Sequence, residues 1–205
     1  MKKLFLTSSF KDVESIFVNY EKNLEGKTVT FIPTASVVEK IVYYVAAGKK
    51  VFEKLGMIVD VLDVSVASEE EIKEKLIKND FIYVSGGNTF YLLQELKRTK
   101  ADKLIIEQVE NGKLYIGESA GSVIVAPNIE YIKGMDSVKK APNLENFEAL
   151  NLVDFYPVPH CADFPFSKVA QKIISTYAQE LNLLAINNKQ AIIVEGDKSW
   201  IETTS

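Results

Sequence analysis

Residues 113–125 read KLYIGESAGSVIV, an apolar run that ends in a serine, Ser119, set between Gly117 and Gly121. A serine alcohol is a weak nucleophile until a base takes its proton. The chain holds one histidine, His160, in FYPVPHCADFP. Neutral imidazole, with a pKa close to neutrality, can accept a proton from an alcohol and return it to a leaving amine. If Ser119 acts through a histidine, it must be this one. The five-residue G-x-S-x-G pattern fits a nucleophile elbow, in which a strand turns into a helix so sharply that only small residues fit two places before and after the serine. The hydroxyl then stands at the start of the following helix, where the Ala120 N–H can face a developing oxyanion. As a bare pattern it equally describes small residues at an ordinary strand–helix junction; the strand before it and the start SAGSVIVA after it favour the elbow.

A second loop, Ser85-Gly86-Gly87-Asn88-Thr89, follows another apolar run. A double glycine lets backbone come close to a ligand and leaves N–H groups available. It lacks both G-x-G-x-x-G and the lysine of a phosphate loop, so it reads better as the elbow's neighbour, a source of the second oxyanion donor, with Asn88 expected in contact with substrate.

These loops need a frame. Strand-like runs (KKLFLTS, TVTFIPTA, IVDVLDV, FIYVSGG, KLYIGE, DFYPV, LLAIN, AIIVEGD) alternate with helical stretches, among them EKIVYYVAAGKKVFEKLG, SEEEIKEKLIKN, FYLLQELKRTKADKLIIEQVENG and SKVAQKIISTYAQELN. The runs FIYVSG and KLYIGE are almost continuously apolar, as expected of central strands covered on both faces. Alternation of this kind predicts an α/β fold, a mostly parallel sheet with helices on both faces. The last third is expected to close the sheet as an antiparallel edge. Loops leaving the carboxyl ends of parallel strands open on one side, where ligands bind. SGGNT and GESAG both fall on that rim.

The 205 residues predict one domain, 1–205, and no linker or repeat interrupts them. A net charge of −4 gives no electrostatic reason to expect nucleic acid. No run approaches the roughly 20 apolar residues of a membrane span, and the N-terminus MKKLFLTSSF reads as a core strand rather than a signal peptide. One cysteine, Cys161, rules out an internal disulfide, and the chain is expected to be cytoplasmic. Cys161 has no elbow around it and is read as a small buried residue.

The segments IYVSGGNTFYLLQEL, IGESAGSVI and NLVDFYPVPH, in this order, together with LFLTSS and VTFIPTAS, resemble the peptidase E family of serine peptidases, which includes aspartyl dipeptidases and, more distantly, cyanophycinases. The resemblance runs over nearly the whole chain. It implies a flavodoxin-like sandwich related to the class I glutamine amidotransferases, with Ser119 as nucleophile, His160 as base, and the backbone N–H groups of Gly87 and Ala120 as oxyanion hole. It implies neither metal nor organic cofactor and a small peptide as substrate; an oligomer is left open. For the third catalytic member, Asp136 in YIKGMDSVKKAP lies near a family aspartate and is preferred narrowly over Asn187 or Asn188; Glu195 is a further candidate. Asp136 also reads as a plain solvated loop acid. Family members that prefer N-terminal aspartate have arginine after the histidine, whereas here the nearby cations are Lys168 and Lys172 and the one arginine, Arg98, lies elsewhere. Lysine does not reproduce bidentate carboxylate recognition, so strict specificity for N-terminal Asp is not expected. Two competing readings are an esterase or amidase of similar mechanism and a non-catalytic binding protein whose triad has decayed.

Overall fold

The structure is a computed structural model that describes residues 1–204. Among them, five strands run parallel in one sheet: β1 (Lys3–Thr7), β2 (Thr28–Ile32), β3 (Ile58–Val61), β4 (Phe81–Val84) and β5 (Leu114–Glu118). Two short strands, β6 (Tyr156–Val158) and β7 (Leu183–Ala185), pair parallel to each other in a sheet of their own. β8 (Gln190–Glu195) and β9 (Lys198–Thr203) complete the large sheet, whose order is β3-β2-β4-β5-β1-β8-β9. β8 lies antiparallel to β1, and β9 antiparallel to β8. The expected α/β architecture is present. The antiparallel edge is also present, but DFYPV and LLAIN leave the main sheet, and β9 adds a strand not foreseen because KSWIET is exposed throughout.

The helices are α1 (Glu14–Tyr20), α2 (Tyr43–Lys54), α3 (Glu69–Lys78), α4 (Thr89–Thr99), α5 (Ala101–Glu110), α6 (Ala120–Val123) and α7 (Ser167–Tyr177). Ser68 caps α3 by accepting the Glu71 N–H at 3.2 Å, with three glutamates in the first turn. The stretch 90–112, read as one helical pattern, is two helices. Lys100 adopts φ +61°, a left-handed conformation that a helix interior does not tolerate.

The central strands β4 and β5 are buried along their whole length, as their apolar runs require. One face of the sheet carries an aliphatic core that includes Leu4, Leu6, Ile82, Val84 and Ile124. The other carries an aromatic core of Phe5, Phe10, Phe17, Phe31, Phe52 and Tyr83. In both, alternating residues of one strand supply opposite faces: Phe5 faces the aromatic side, Leu4 and Leu6 the aliphatic. Since β4, β5 and β1 are neighbours, the loops after them (85–89, 119–120 and 8–10) emerge side by side on one rim.

Candidate active site

The elbow forms where β5 ends. Ser119 has φ +50° and ψ −106°, a strained conformation for a residue with a side chain. Its N–H donates to the Thr7 carbonyl at 2.8 Å, and its own carbonyl accepts from Ser122 and Val123, which starts α6 at once. The flanking glycines are required by space. A Cβ on Gly117 would meet the Gly121 carbonyl oxygen at 2.5 Å, and one on Gly121 would meet the Val84 carbonyl oxygen at 2.0 Å. Ser122 ties the turn to β1, its Oγ donating toward the Thr7 and Gly117 carbonyls and accepting the Thr7 N–H at 2.9 Å.

His160 follows β6 and has φ +59°. Its N–H donates to Ser8 Oγ at 2.9 Å, and Ser8 Oγ donates to the Ile186 carbonyl. The ring packs against Phe166, with centroids 5.0 Å apart. Thus held, its Nε2 lies 3.1 Å from Ser119 Oγ and its Nδ1 lies 2.8 Å from Asn188 Oδ1. An amide oxygen can only accept, so Nδ1 carries the proton and Nε2 presents a lone pair to the serine hydroxyl. Burial holds the imidazole below its usual pKa of 6.5, against the Asn188 bond and the Asp163 carboxylate, which both favour the cation. Asp163 itself accepts the Asn188 N–H at 2.7 Å, so it braces the asparagine from behind.

Asp136, the preferred third member, is placed elsewhere. Its Oδ2 accepts from the Thr89 N–H at 2.8 Å and from Thr89 Oγ1 at 2.5 Å, at the first turn of α4. With Asn188 on Nδ1 and Ser119 on Nε2, both ring nitrogens of His160 are engaged without it. Glu195 is further removed: it pairs in register with Lys3, at the amino edge of β1, whereas the elbow lies at the carboxyl edges. Asn187 and Asn188 precede β8, which enters the sheet opposite the carboxyl end of β1, and that antiparallel return brings them to the rim.

Gly87 takes φ +138°, and a Cβ there would lie 2.2 Å from the Ala35 backbone, so only glycine fits. The loop is pinned on both sides of it by Ser85 N–H to the Ile32 carbonyl and Asn88 N–H to the Ala35 carbonyl. Ala120 begins α6, where a backbone N–H has no intrahelical acceptor. The Asn88 side chain is anchored to the protein. Its Oδ1 accepts the Tyr91 N–H and caps α4, and its Nδ2 donates to the Ser137 carbonyl. These bonds hold the loop, and the residue also faces the cavity that Ser119 lines.

These residues share a cavity of about 780 Å³ lined by Gly87, Asn88, Asp136, Ser119, Ala120, His160 and Asn188, with Tyr43, Tyr44, Ile132, Phe164 and Phe166 among its apolar walls. Lys11, Lys40 and Lys140 also line it, whereas Lys168 and Lys172 do not, and Arg98 is turned to Glu95 and the Ser65 carbonyl. Glu118, beside the nucleophile, is buried. Its Oε1 accepts the Phe10 N–H at 2.8 Å and its Oε2 the Tyr83 hydroxyl at 2.6 Å. Burial raises its pKa; the bonds from Tyr83, Phe10 and Gly86 oppose that rise. Glu118 and Asp163 were not picked out from the sequence. The signal for Glu118 was an acid within a buried run; for Asp163, an acid three residues after the lone histidine. Cys161 is partly buried, and burial pushes its thiol pKa up, away from a reactive thiolate. Among the described residues no group of three or more His, Cys, Asp or Glu side chains is arranged to hold a metal ion, and no helix is long and apolar enough to cross a membrane.

The model of peptidase family S51 matches residues 4–201. An uncharacterized peptidase of Listeria monocytogenes is 61% identical over 196 residues, which cover 96% of each chain. Peptidase E of a Nostoc species is 35% identical over 167 residues, 78% of this chain and 65% of that protein. Among solved structures, a Listeria monocytogenes protein provisionally assigned as peptidase E superposes with a TM-score of 0.96 at 58% identity, covering all of both chains. A peptidase from an acI-B1 actinobacterium, at 21% identity and a TM-score of 0.68, shares the fold.

Proposed function

The chain belongs to peptidase family S51 and is a peptidase, and from that premise we propose that it hydrolyses short peptides through a Ser119–His160–Asn188 triad and an acyl-enzyme. The observation that carries this reading is the contact of His160 Nε2 with Ser119 Oγ at 3.1 Å, on a serine held at positive φ. His160 removes the Ser119 proton as Oγ attacks the scissile carbonyl. The carbonyl oxygen becomes an oxyanion between the N–H groups of Gly87 and Ala120. The imidazolium then protonates the leaving amine, the C–N bond breaks, and the amine departs. Water, deprotonated by the same imidazole, attacks the acyl ester, and Ser119 leaves with the proton returned.

Asn188 fixes the tautomer and orientation of the ring but supplies no formal charge to the imidazolium. In a serine triad, replacing aspartate by asparagine can cost about 10⁴ in turnover when it leaves the wrong tautomer in place. Here the asparagine oxygen faces Nδ1, so the productive tautomer is kept and the remaining deficit is electrostatic. Asp163, one residue contact behind, restores part of that charge at longer range. A cavity of about 780 Å³ suits di- and tripeptides better than long chains, and without an arginine in its wall an N-terminal aspartate has no bidentate clamp.

A fluorophosphonate probe tests the serine. Wild type should label and S119A should not, while H160A should label at least about 100-fold more slowly. Absence of labelling in the wild type would overturn the Ser119 mechanism. A dipeptide library varied at the first residue, run beside simple aryl esters, then separates a peptidase from an esterase.

A further inference from the structure

One edge of the large sheet is bare backbone. β9 (Lys198–Thr203) is its last strand, with β8 on one side and, among the described residues, no strand on the other. All six of its residues are exposed. The Thr204 N–H donates to the Lys189 carbonyl at 2.9 Å, so the even-numbered residues here turn their backbone groups toward β8. Backbone groups point to alternate sides along a strand. Those of Ser199, Ile201 and Thr203 therefore point out of the sheet edge. Side chains alternate as well. Lys198, Trp200 and Glu202 share one face, and Trp200 and Glu202 stand opposite Ile193 and Ala191 of the aromatic core. The Lys198 ammonium makes no ion pair among the described residues, and the Glu202 carboxylate accepts the Trp200 indole N–H at 3.0 Å.

We propose that β9 is the pairing edge of a reversible homodimer, in which it lies antiparallel to β9 of a second copy and the two sheets become one. A strand meets its own copy antiparallel across a two-fold axis. The backbone limits the register, because outward-pointing residues hydrogen-bond only with outward-pointing residues. An axis through Trp200 sets Ser199 opposite the second copy's Ile201, and these exchange N–H···O bonds both ways. Lys198 then faces the second copy's Glu202, and Glu202 its Lys198, so unlike charges meet on both sides of the axis. An axis through Ile201 would put Trp200 opposite Glu202, and one through Ser199 would put Lys198 opposite Trp200. Neither joins unlike charges. The axis through Trp200 also makes the two indoles a non-hydrogen-bonded pair, where cross-strand side chains approach most closely. Charges on an edge strand commonly keep copies apart. Here opposite signs stand at equal distances along the strand from Trp200, so the same charges attract. A single strand pair makes a small interface, and the dimer therefore dissociates on dilution.

Sedimentation velocity over a dilution series from roughly 500 to 1 µM tests the pairing. Wild type should be dimeric at the top of that range and dissociate toward the bottom. Trp200 is the chain's one tryptophan, so its fluorescence should shift to the blue in step with dimerisation, as the indole loses water. K198E and E202K each set like charges opposite one another on both sides of the axis, and each should weaken the dimer by at least about 10-fold. The double variant K198E/E202K restores unlike pairs with the signs exchanged, and its dissociation constant should return to within about threefold of wild type. Neither residue lines the cavity of Ser119, so the test stands apart from the chemistry there. A wild type that stays monomeric throughout the series overturns the proposal. So does a dimer that tolerates either single reversal, a folded double variant no stronger than the singles, or dimerisation that leaves the Trp200 spectrum unmoved. If a variant does not fold, the wild-type series read through Trp200 still decides.

Discussion

The chemistry of His160 is governed by what its two nitrogens touch. Because burial lowers its pKa, the ring stays neutral to lower pH than a free imidazole, and neutral is the form that accepts the Ser119 proton. The acid limb of the kcat/KM profile should accordingly have its midpoint below 6.5, measured on a neutral ester so that no substrate group titrates with it. A midpoint above that value would mean that a charged partner, not burial, dominates. N188D places a carboxylate on Nδ1, which favours imidazolium, so that limb should move up by about one unit. N188L removes the acceptor and should lower kcat by about 10- to 100-fold through lost ring orientation, with the limb moving further down. An unchanged profile in both variants would show that Asn188 does not face the ring during turnover. Were Asp136 the partner instead, D136N would lower the limb and N188L would leave it unmoved.

At the scale of elements, the site is a junction of strand ends. β5 runs into α6 through Ser119 with no intervening loop, and that economy depends on bare backbone at two positions. G121A would drive a methyl into the Val84 carbonyl at 2.0 Å, a backbone contact that cannot swing away. We expect a loss of about 2–4 kcal/mol in urea unfolding together with loss of labelling. G26A, by contrast, meets no atom within 4 Å and bears only the cost of a positive φ of +77°, so it should lose about 1 kcal/mol and keep labelling. If the two variants behaved alike, the elbow would be looser than its geometry implies. Glu118 extends the same junction sideways, joining the Phe10 N–H after β1 to the Tyr83 hydroxyl of β4.

For the whole molecule, stability and activity draw on different regions. The aromatic face of the sheet packs Phe17 between Phe5, Phe10 and Phe52, with ring centroids 5.2–6.2 Å apart. Phe17 does not line the cavity. F17A should cost about 3–5 kcal/mol on denaturant unfolding. The fraction that remains folded should label at close to the wild-type rate. A large fall in the labelling rate of folded F17A would mean that the aromatic core communicates with the rim.

What the sequence determined by itself was local. GESAG between an apolar run and small helix formers carries its own geometry, because the two glycines and the strained serine leave the chain few ways to turn. The same holds for Gly87 and for the buried strands, and a single histidine left no choice of base. The pairing of Nδ1 was not local. It depends on β8 returning antiparallel beside β1, which brings residue 188 to the carboxyl rim and sends Glu195 to the amino edge. Asp136 shares the cavity, but one of its oxygens is bonded to Thr89 at the N-terminus of α4, a contact across 47 positions that no spacing along the chain announces. Strand register reverses with direction, and hydrogen bonds are decided within a few tenths of an ångström. Which acid or amide holds the imidazole was therefore fixed only when the sheet closed.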